Sequence, residues 1–404
     1  MKLLPHIDMA AVTRLTRAGR LGEALRLLRG GRGASAAPDA APAAAPAAGD
    51  AAPIIDMQPP SPSNGGAWTA PAPTPTPAQP PPSPSPQSPQ STLQATLERA
   101  LKPRMRVGVA AERSADPATP GARFEERSYG SALAQRNYKL YVPSSYDGTP
   151  RALVVMLHGC TQSPDDFARG TRMNALAEEE GFLVAYPAQS PAANPSKCWN
   201  WFNAADQQRD RGEPALIAGI TREVMHEFAI DPHRVYVAGL SAGGAMAAIL
   251  GATYPDLYAA VGVHSGLAPG AAHDIPSAFA AMRGGGSLPA AASARAVPTI
   301  VFHGDADTTV APLNGDHVAA QARGATPLHR QTQTGSSAGG VAYTRNVEST
   351  DDGRARLEQW LVHGGGHAWS GGDAGGSFTA PQGPDASREM LRFFAEQADA
   401  KPTH

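Results

Sequence analysis

The chain has 404 residues, with 34 Lys or Arg against 36 Asp or Glu and a formal net charge of −2. A field so nearly balanced gives no reason to expect a polyanion, and nucleic acid is not an expected partner. Residues 34–94 are dominated by Pro, Ala, Ser and Thr and hold too few large apolar side chains for a core, which excludes a packed domain there and predicts a disordered or polyproline-type linker.

Before that linker, residues 1–33 carry Asp8 as a helix cap, Val12 and Leu15, a break at Gly19, then Leu21, Leu25 and Leu28 at helical spacing among Arg14, Arg17, Arg20, Arg26 and Arg29. The pattern predicts a short basic helical hairpin. It fits either an anchor for an anionic or apolar surface, such as a membrane or polymer granule, or an appendage docking on the rest of the chain or on another subunit. No apolar run approaches the roughly 18 residues that span a bilayer. Met1 to Arg20 has Arg and Asp where a secretory signal has its apolar segment, so a cytoplasmic location is expected.

Residues 95–404 have the apolar runs and Gly punctuation of one compact catalytic domain. Tyr138 to Val142 alternates as a strand, and Ala152 to Leu157 is continuously apolar, as in a strand buried on both faces; it runs into His158-Gly159-Cys160. Ser163, Pro164, Asp165 and Asp166 supply a cap, a first-position proline and first-turn acids, predicting one helix to about Glu180. Phe182 to Pro187 is the next strand, a long loop passes through Cys198 to Phe202, and Glu213 to Phe228 is an amphipathic helix. Asp231 leads into the strand ending at Leu240, and Ala259 to Val263 and Thr299 to Phe302 are further buried strands. Alternating strands and helices imply right-handed crossovers and an α/β architecture, a mostly parallel sheet with helices on both faces.

Gly239-Leu240-Ser241-Ala242-Gly243 follows an apolar strand and opens a small-residue helix. This is the form of a nucleophile elbow, in which the flanking glycines leave room for a strained turn; the bland alternative is a helix-capping serine. In α/β-hydrolases an acid and then a histidine follow the serine. Here His303-Gly304-Asp305-Ala306-Asp307 ends one strand, and Leu361-Val362-His363 runs into Gly364-Gly365-Gly366-His367. Asp307 lies further out on its turn and is the expected partner of the base, with Asp305 bracing the loop. His367, presented by three glycines, is the expected base, and His363 is expected to be buried and structural. His264, His273 and His303 read as strand-end or loop residues.

An oxyanion needs two N–H donors, one after the nucleophile and one after the third strand. Ala242 and Cys160 are in those positions. The two cysteines, Cys160 and Cys198, would close a loop of about 40 residues and contribute roughly 4 kcal/mol as a disulfide; two free buried thiols are the alternative. No group of His, Cys and acidic residues has metal-ligand spacing, and no cofactor is expected.

The stretches His158-Gly-Cys160-Thr-Gln, Cys198-Trp-Asn-Trp-Phe202, Gly239-Leu-Ser241-Ala-Gly243, His303-Gly-Asp-Ala-Asp307 and Gly364-Gly-Gly-His367-Ala-Trp369 together resemble the poly(3-hydroxybutyrate) depolymerase family of esterases over about residues 125 to 395. The resemblance implies Ser241, Asp307 and His367 as a catalytic triad, Cys160 as an oxyanion donor, and a Cys160–Cys198 disulfide. It implies a polyester as substrate, or a feruloyl or acetylxylan ester as in related esterases; a noncatalytic granule-surface protein is the rival outside enzymes. Unlike the family's secreted polymer degraders, the chain shows neither an evident signal sequence nor a recognisable substrate-binding module after the catalytic domain. This favours a cytoplasmic or granule-associated site of action over the extracellular one common in the family. Trp199 and Trp369 are the candidates for an apolar platform for substrate, with packing under their loops as the alternative, and Trp201 is the expected packing residue.

Overall fold

The computed structural model describes residues 119–130, 135–284 and 296–398. The hairpin expected over 1–33 and the linker over 34–94 lie outside the described residues, as does 95–118.

Ten strands form one sheet: β1 (Arg123–Gly130), β2 (Gln135–Val142), β3 (Arg151–Leu157), β4 (Leu183–Pro187), β5 (Ile230–Leu240), β6 (Ala260–His264), β7 (Thr299–Gly304), β8 (His329–Ser336), β9 (Ala342–Ser349) and β10 (Ala355–Val362). Their order is β1-β2-β4-β3-β5-β6-β7-β10-β9-β8. The six strands from β4 to β10 in that order run parallel, and antiparallel pairs flank them on either side. Seven α-helices are described, α1 (Pro164–Thr171), α2 (Met173–Glu180), α3 (Gly212–Glu227), α4 (Ala242–Thr253), α5 (Ile275–Gly284), α6 (Leu313–Arg323) and α7 (Ala386–Ala398), with a short 3-10 turn at Ala204–Gln207. A short parallel pair, β11 (Trp369–Ser370) and β12 (Thr379–Ala380), stands apart from the main sheet. Among the described residues no helix is long and apolar enough to cross a membrane.

The apolar runs build two core layers because successive strand residues face opposite sides. Leu153, Val155, Leu157, Val235 and Val237 pack with Ile217, Met246 and Leu250 on one face. Val154, Met156, Tyr236 and Ala238 pack with Phe167, Leu176, Met390 and Phe394 on the other. This is the doubly covered parallel sheet the alternation predicts.

The helix expected to run unbroken to about Glu180 is two. Arg172 sits between α1 and α2 with φ 57° and ψ 20°. The cause is tertiary: the Gly170 carbonyl, which a continuous helix would offer to residue 174, instead accepts the Asp373 N–H at 2.8 Å.

Parallel strands all end on one edge, and that edge collects the chemistry-bearing loops. After β3 comes His158-Gly159-Cys160, after β5 Ser241, after β7 Asp305 and Asp307, and after β10 His363 and His367.

Candidate active site

Ser241 caps α4 with φ 58° and ψ −118° and makes no capping hydrogen bond with its side chain. A serine holds this left-handed conformation only if its surroundings fix it. A Cβ at Gly239 would overlap the Gly243 carbonyl group, and one at Gly243 would overlap the Leu157 carbonyl, so the elbow closes only with glycine at both places. The Ser241 N–H donates to the His264 carbonyl at 2.9 Å, tying the turn to β6.

Asp307 and His367 meet across 60 residues of sequence, His367 Nδ1 lying 2.7 Å from Asp307 Oδ2. An ionised carboxylate only accepts, so Nδ1 carries the proton and Nε2 is left as a base. The other oxygen, Oδ1, accepts the N–H groups of Thr309 and Val310, both at 2.9 Å. The Asp307 side chain is fully buried and that of His367 is 10% exposed. Burial alone would push the Asp307 carboxyl up, but hydrogen bonding to His303 and His367 outweighs it and holds the carboxyl well below the usual range. The pair is braced through main chain: the Ala306 N–H donates to the Gly365 carbonyl at 3.0 Å, and a Cβ at Gly304 would collide with that same carbonyl.

Asp305 and His363 form a second, outer pair, His363 Nδ1 lying 2.8 Å from Asp305 Oδ2. Asp305 Oδ1 also accepts the Gly364 N–H at 2.6 Å, the loop-bracing part expected of it. His363 is not buried as expected. Its side chain is 40% exposed, because β10 ends one residue earlier and the ring turns outward to Thr344.

The turn after β3 lies against the elbow. A Cβ built on Gly159 would come 3.6 Å from Ser241 Cβ. Ala242, at the first position of α4, has no intrahelical acceptor for its N–H.

Cys160 and Cys198 form a disulfide, fastening this loop to the Trp-rich segment. Beneath that segment the buried Glu213 accepts the Asn200 N–H at 2.7 Å and the Asn200 side-chain amide at 2.9 Å, while Gln189 donates to Glu213 and, at 2.8 Å, to the Cys198 carbonyl. Burial pushes the Glu213 carboxyl up to about 7. Replacing both cysteines by serine is expected to cost about 4 kcal/mol of stability in the chain-entropy model for a separation of 38 residues. Urea unfolding of oxidised wild type against the double variant measures it, and a difference under ~1 kcal/mol would refute the expectation.

The expected platform of Trp199 and Trp369 is corrected by burial, since Trp199 is 0% and Trp369 1% exposed. Trp199 donates its indole N–H to the His158 carbonyl at 3.1 Å and Trp369 to Ser387 Oγ at 3.0 Å. Both are core side chains with a satisfied polar tip. Trp201 is buried as well, as expected.

Two buried histidines stand near the site, His264, which the sequence places only at a strand end or loop, and His158, to which it gives no role of its own. His264 accepts the Ser370 N–H on Nε2 at 3.0 Å and stacks on Trp369 and Phe302. Because its carbonyl also holds Ser241, one residue joins the elbow to the loop bearing His367. His158 accepts the Gln189 N–H on Nε2 at 3.1 Å. Burial keeps both rings neutral, lowering His264 to about 3 and His158 to about 4. No local motif distinguishes such rings from ordinary core histidines. His303, also buried, donates Nε2–H to the Val310 carbonyl at 2.9 Å and lies 3.5 Å from Asp307 Oδ2.

A turn-held serine, a buried aspartate–histidine pair and two main-chain donors on one sheet edge are the parts needed for acyl transfer. Residues 136–337 match the family model described as Esterase PHB depolymerase. The chain is 33% identical over 239 residues to a poly(3-hydroxyalkanoate) depolymerase C of Paucimonas lemoignei, covering 56% of this chain and 57% of that one. It is 33% identical over 259 residues to a poly(3-hydroxybutyrate) depolymerase of Ralstonia pickettii, covering 58% and 52%. The chain thus spans about half the length of the curated relatives it matches. Among solved structures, an acetyl xylan esterase from Aspergillus awamori superposes with a TM-score of 0.52 at 20% identity, covering 68% of this chain and 99% of that one, a likeness of fold.

Proposed function

We propose that this chain, which belongs to the PHB depolymerase family of esterases, hydrolyses carboxylic esters through an acyl-enzyme and that its substrate class is a poly(3-hydroxybutyrate)-like polyester. The observation that carries the reading is the 2.7 Å bond from buried Asp307 to His367 on the same sheet edge as the Ser241 elbow.

In this reading Ser241 Oγ attacks the ester carbonyl carbon while His367 Nε2 takes its proton, and the C=O π pair moves onto oxygen. The N–H groups of Ala242 and Cys160 receive that oxyanion. The C–O bond to the alcohol then breaks, and His367 returns the proton to the departing oxygen. A water attacks the acyl-enzyme by the same route, releasing the acid and restoring Ser241. Asp307 keeps the proton on Nδ1 throughout and stabilises the imidazolium.

The test is a substrate panel beside a fluorophosphonate probe. Clearing of a poly(3-hydroxybutyrate) suspension, with little ferulate or acetate released from feruloyl esters or acetylated xylan, is the expected result. The reverse pattern would move the chain to the carbohydrate esterases. Failure of the probe to label Ser241 would leave a noncatalytic surface protein on a hydrolase fold.

A further inference from the structure

Of the run His158-Gly159-Cys160-Thr161-Gln162, the proposed chemistry uses only the Cys160 N–H. We propose that Gln162 is a positioning residue for the oxyanion hole: it aims that N–H and locks the turn to the segment that continues from His367. The inference rests on the esterase reading above.

Gln162 is 2% exposed, and both ends of its amide are engaged. Oε1 accepts the Gly159 N–H at 2.9 Å. Nε2 donates to Asp166 Oδ2 at 3.0 Å and to the Ser377 carbonyl at 3.1 Å, with Ser377 Oγ at 3.3 Å. The neighbours fix the amide's orientation. Reversed, its N–H groups would face the Gly159 N–H, and its oxygen would face a carboxylate and a carbonyl. Asp166 holds Ser377 from the other side, Oδ1 accepting the Ser377 N–H at 2.9 Å and Oδ2 the Ser377 hydroxyl.

The segment being held follows β11 and lies flat on α1. A Cβ at Gly372 or at Gly376 would overlap the Gly170 backbone, so main chain meets main chain there. Gln162 therefore stands between two close-packed pieces, the turn beside Ser241 and the continuation of the His367 loop.

The donor census of the turn shows what the side chain does. Gly159 gives its N–H to Gln162 Oε1, Thr161 gives its own to the Ser196 carbonyl at 2.7 Å, and the Gln162 main chain gives its own to the Gly159 carbonyl at 3.3 Å. Among the described residues the Cys160 N–H has no acceptor, which is the state an oxyanion donor needs. Its direction depends on the Gly159 backbone, a residue with no Cβ to restrict it. The disulfide and Ser196 hold the turn from one side, and Gln162 holds it from the other.

Steady-state kinetics on a soluble p-nitrophenyl ester test the proposal, together with binding of an alkyl boronic acid, whose tetrahedral adduct on Ser241 presents an oxygen to the same donors. Gln162→Ala is expected to lower kcat on the order of 10²-fold, with KM changed less than about threefold. The boronate should weaken in proportion to kcat/KM, as a transition-state analogue must, and the fraction of sites titrated by fluorophosphonate should stay at wild-type level. Gln162→Glu is the second variant, keeping the acceptor for Gly159. It regains a donor toward Asp166 only while the two carboxyl groups share a proton, so its activity should fall with rising pH where wild type is flat. The proposal is overturned if Gln162→Ala keeps kcat within about twofold and loses only thermal stability, if boronate affinity stays unchanged while kcat falls, or if Gln162→Glu follows the wild-type pH profile. A wild-type chain that neither hydrolyses esters nor reacts with the probe would instead bring down the esterase reading and this inference with it.

Discussion

Replacing Ser241 by Ala is expected to lower kcat on a soluble ester by about 10⁶-fold while the fold persists, the cost seen where a triad serine is deleted from a serine hydrolase. The stability half follows from the elbow. Alanine keeps the β-carbon and the N–H that bonds the His264 carbonyl, and the lost hydroxyl makes no capping bond. The strain of the left-handed turn is the same for either residue. Thermal midpoint and kcat should therefore separate cleanly, the first within about 2 °C and the second near background. Turnover within tenfold of wild type would remove Ser241 from the mechanism.

Asp307→Asn is expected to cost about 10⁴-fold in kcat, because an amide N–H facing His367 Nδ1 forces the proton onto Nε2 and leaves no base toward the serine. The substitution also sets an amide donor near His303 Nε2–H, 3.5 Å away, so some stability should be lost with the activity. Asp305→Asn is the control. It touches His363 and the Gly364 N–H rather than His367, and less than about a tenfold change is expected from loosening a loop. If the Asp305 variant proved the more damaging, the two acids would exchange roles. The pH–rate profile of kcat/KM, measured for both, gives the comparison.

The contacts of the two aspartates, Asp307 with His367 and Asp305 with His363 and the Gly364 N–H, are legible in the sequence because their spacing along a tight turn after a buried strand carries geometric information. The same holds for the glycine-flanked serine and for the strands ending at Leu157, Leu240 and His303-Gly304. Other features depend on distant chain and leave no local trace. The break at Arg172 follows from the Gly170 carbonyl being captured by Asp373, and although that glycine stands just before the break, nothing local shows that its carbonyl is taken. The outer strand β8, His329-Arg-Gln-Thr-Gln-Thr-Gly-Ser336, lacks apolar alternation because it is exposed along nearly its whole length, so periodicity cannot find it. Trp199 and Trp369 show the limit most clearly. An indole in a loop beside a site has the same sequence appearance whether it faces solvent or the core, and here His158 and Ser387 take its N–H inside. The role of His264 depends on two bonds made by opposite ends of one residue, its carbonyl to Ser241 and its ring to Ser370.

Those buried rings tie the stability of the fold to acidity. A histidine ordinarily titrates near 6.5, but burial lowers His158 to about 4 and His264 to about 3 in the folded chain. As pH falls below 6.5 the unfolded chain takes up protons that these two rings refuse, so the stability they contribute is complete above 6.5 and drains away as pH approaches 4 and then 3. Each pH unit crossed in that window costs about 1.4 kcal/mol per ring. Buried Glu213, raised from 4.5 to about 7, takes up a proton on folding and offsets about one ring down to pH 4.5, so urea midpoints are expected to decline from about pH 6.5 toward pH 4, most steeply below 4.5, and a flat series would contradict it. Every ester bond cut releases a carboxylic acid. Under the proposed polyester reading, sustained hydrolysis on a confined, weakly buffered surface would acidify the layer around the chain, so the pace of degradation would be tied to how quickly that acid is carried away.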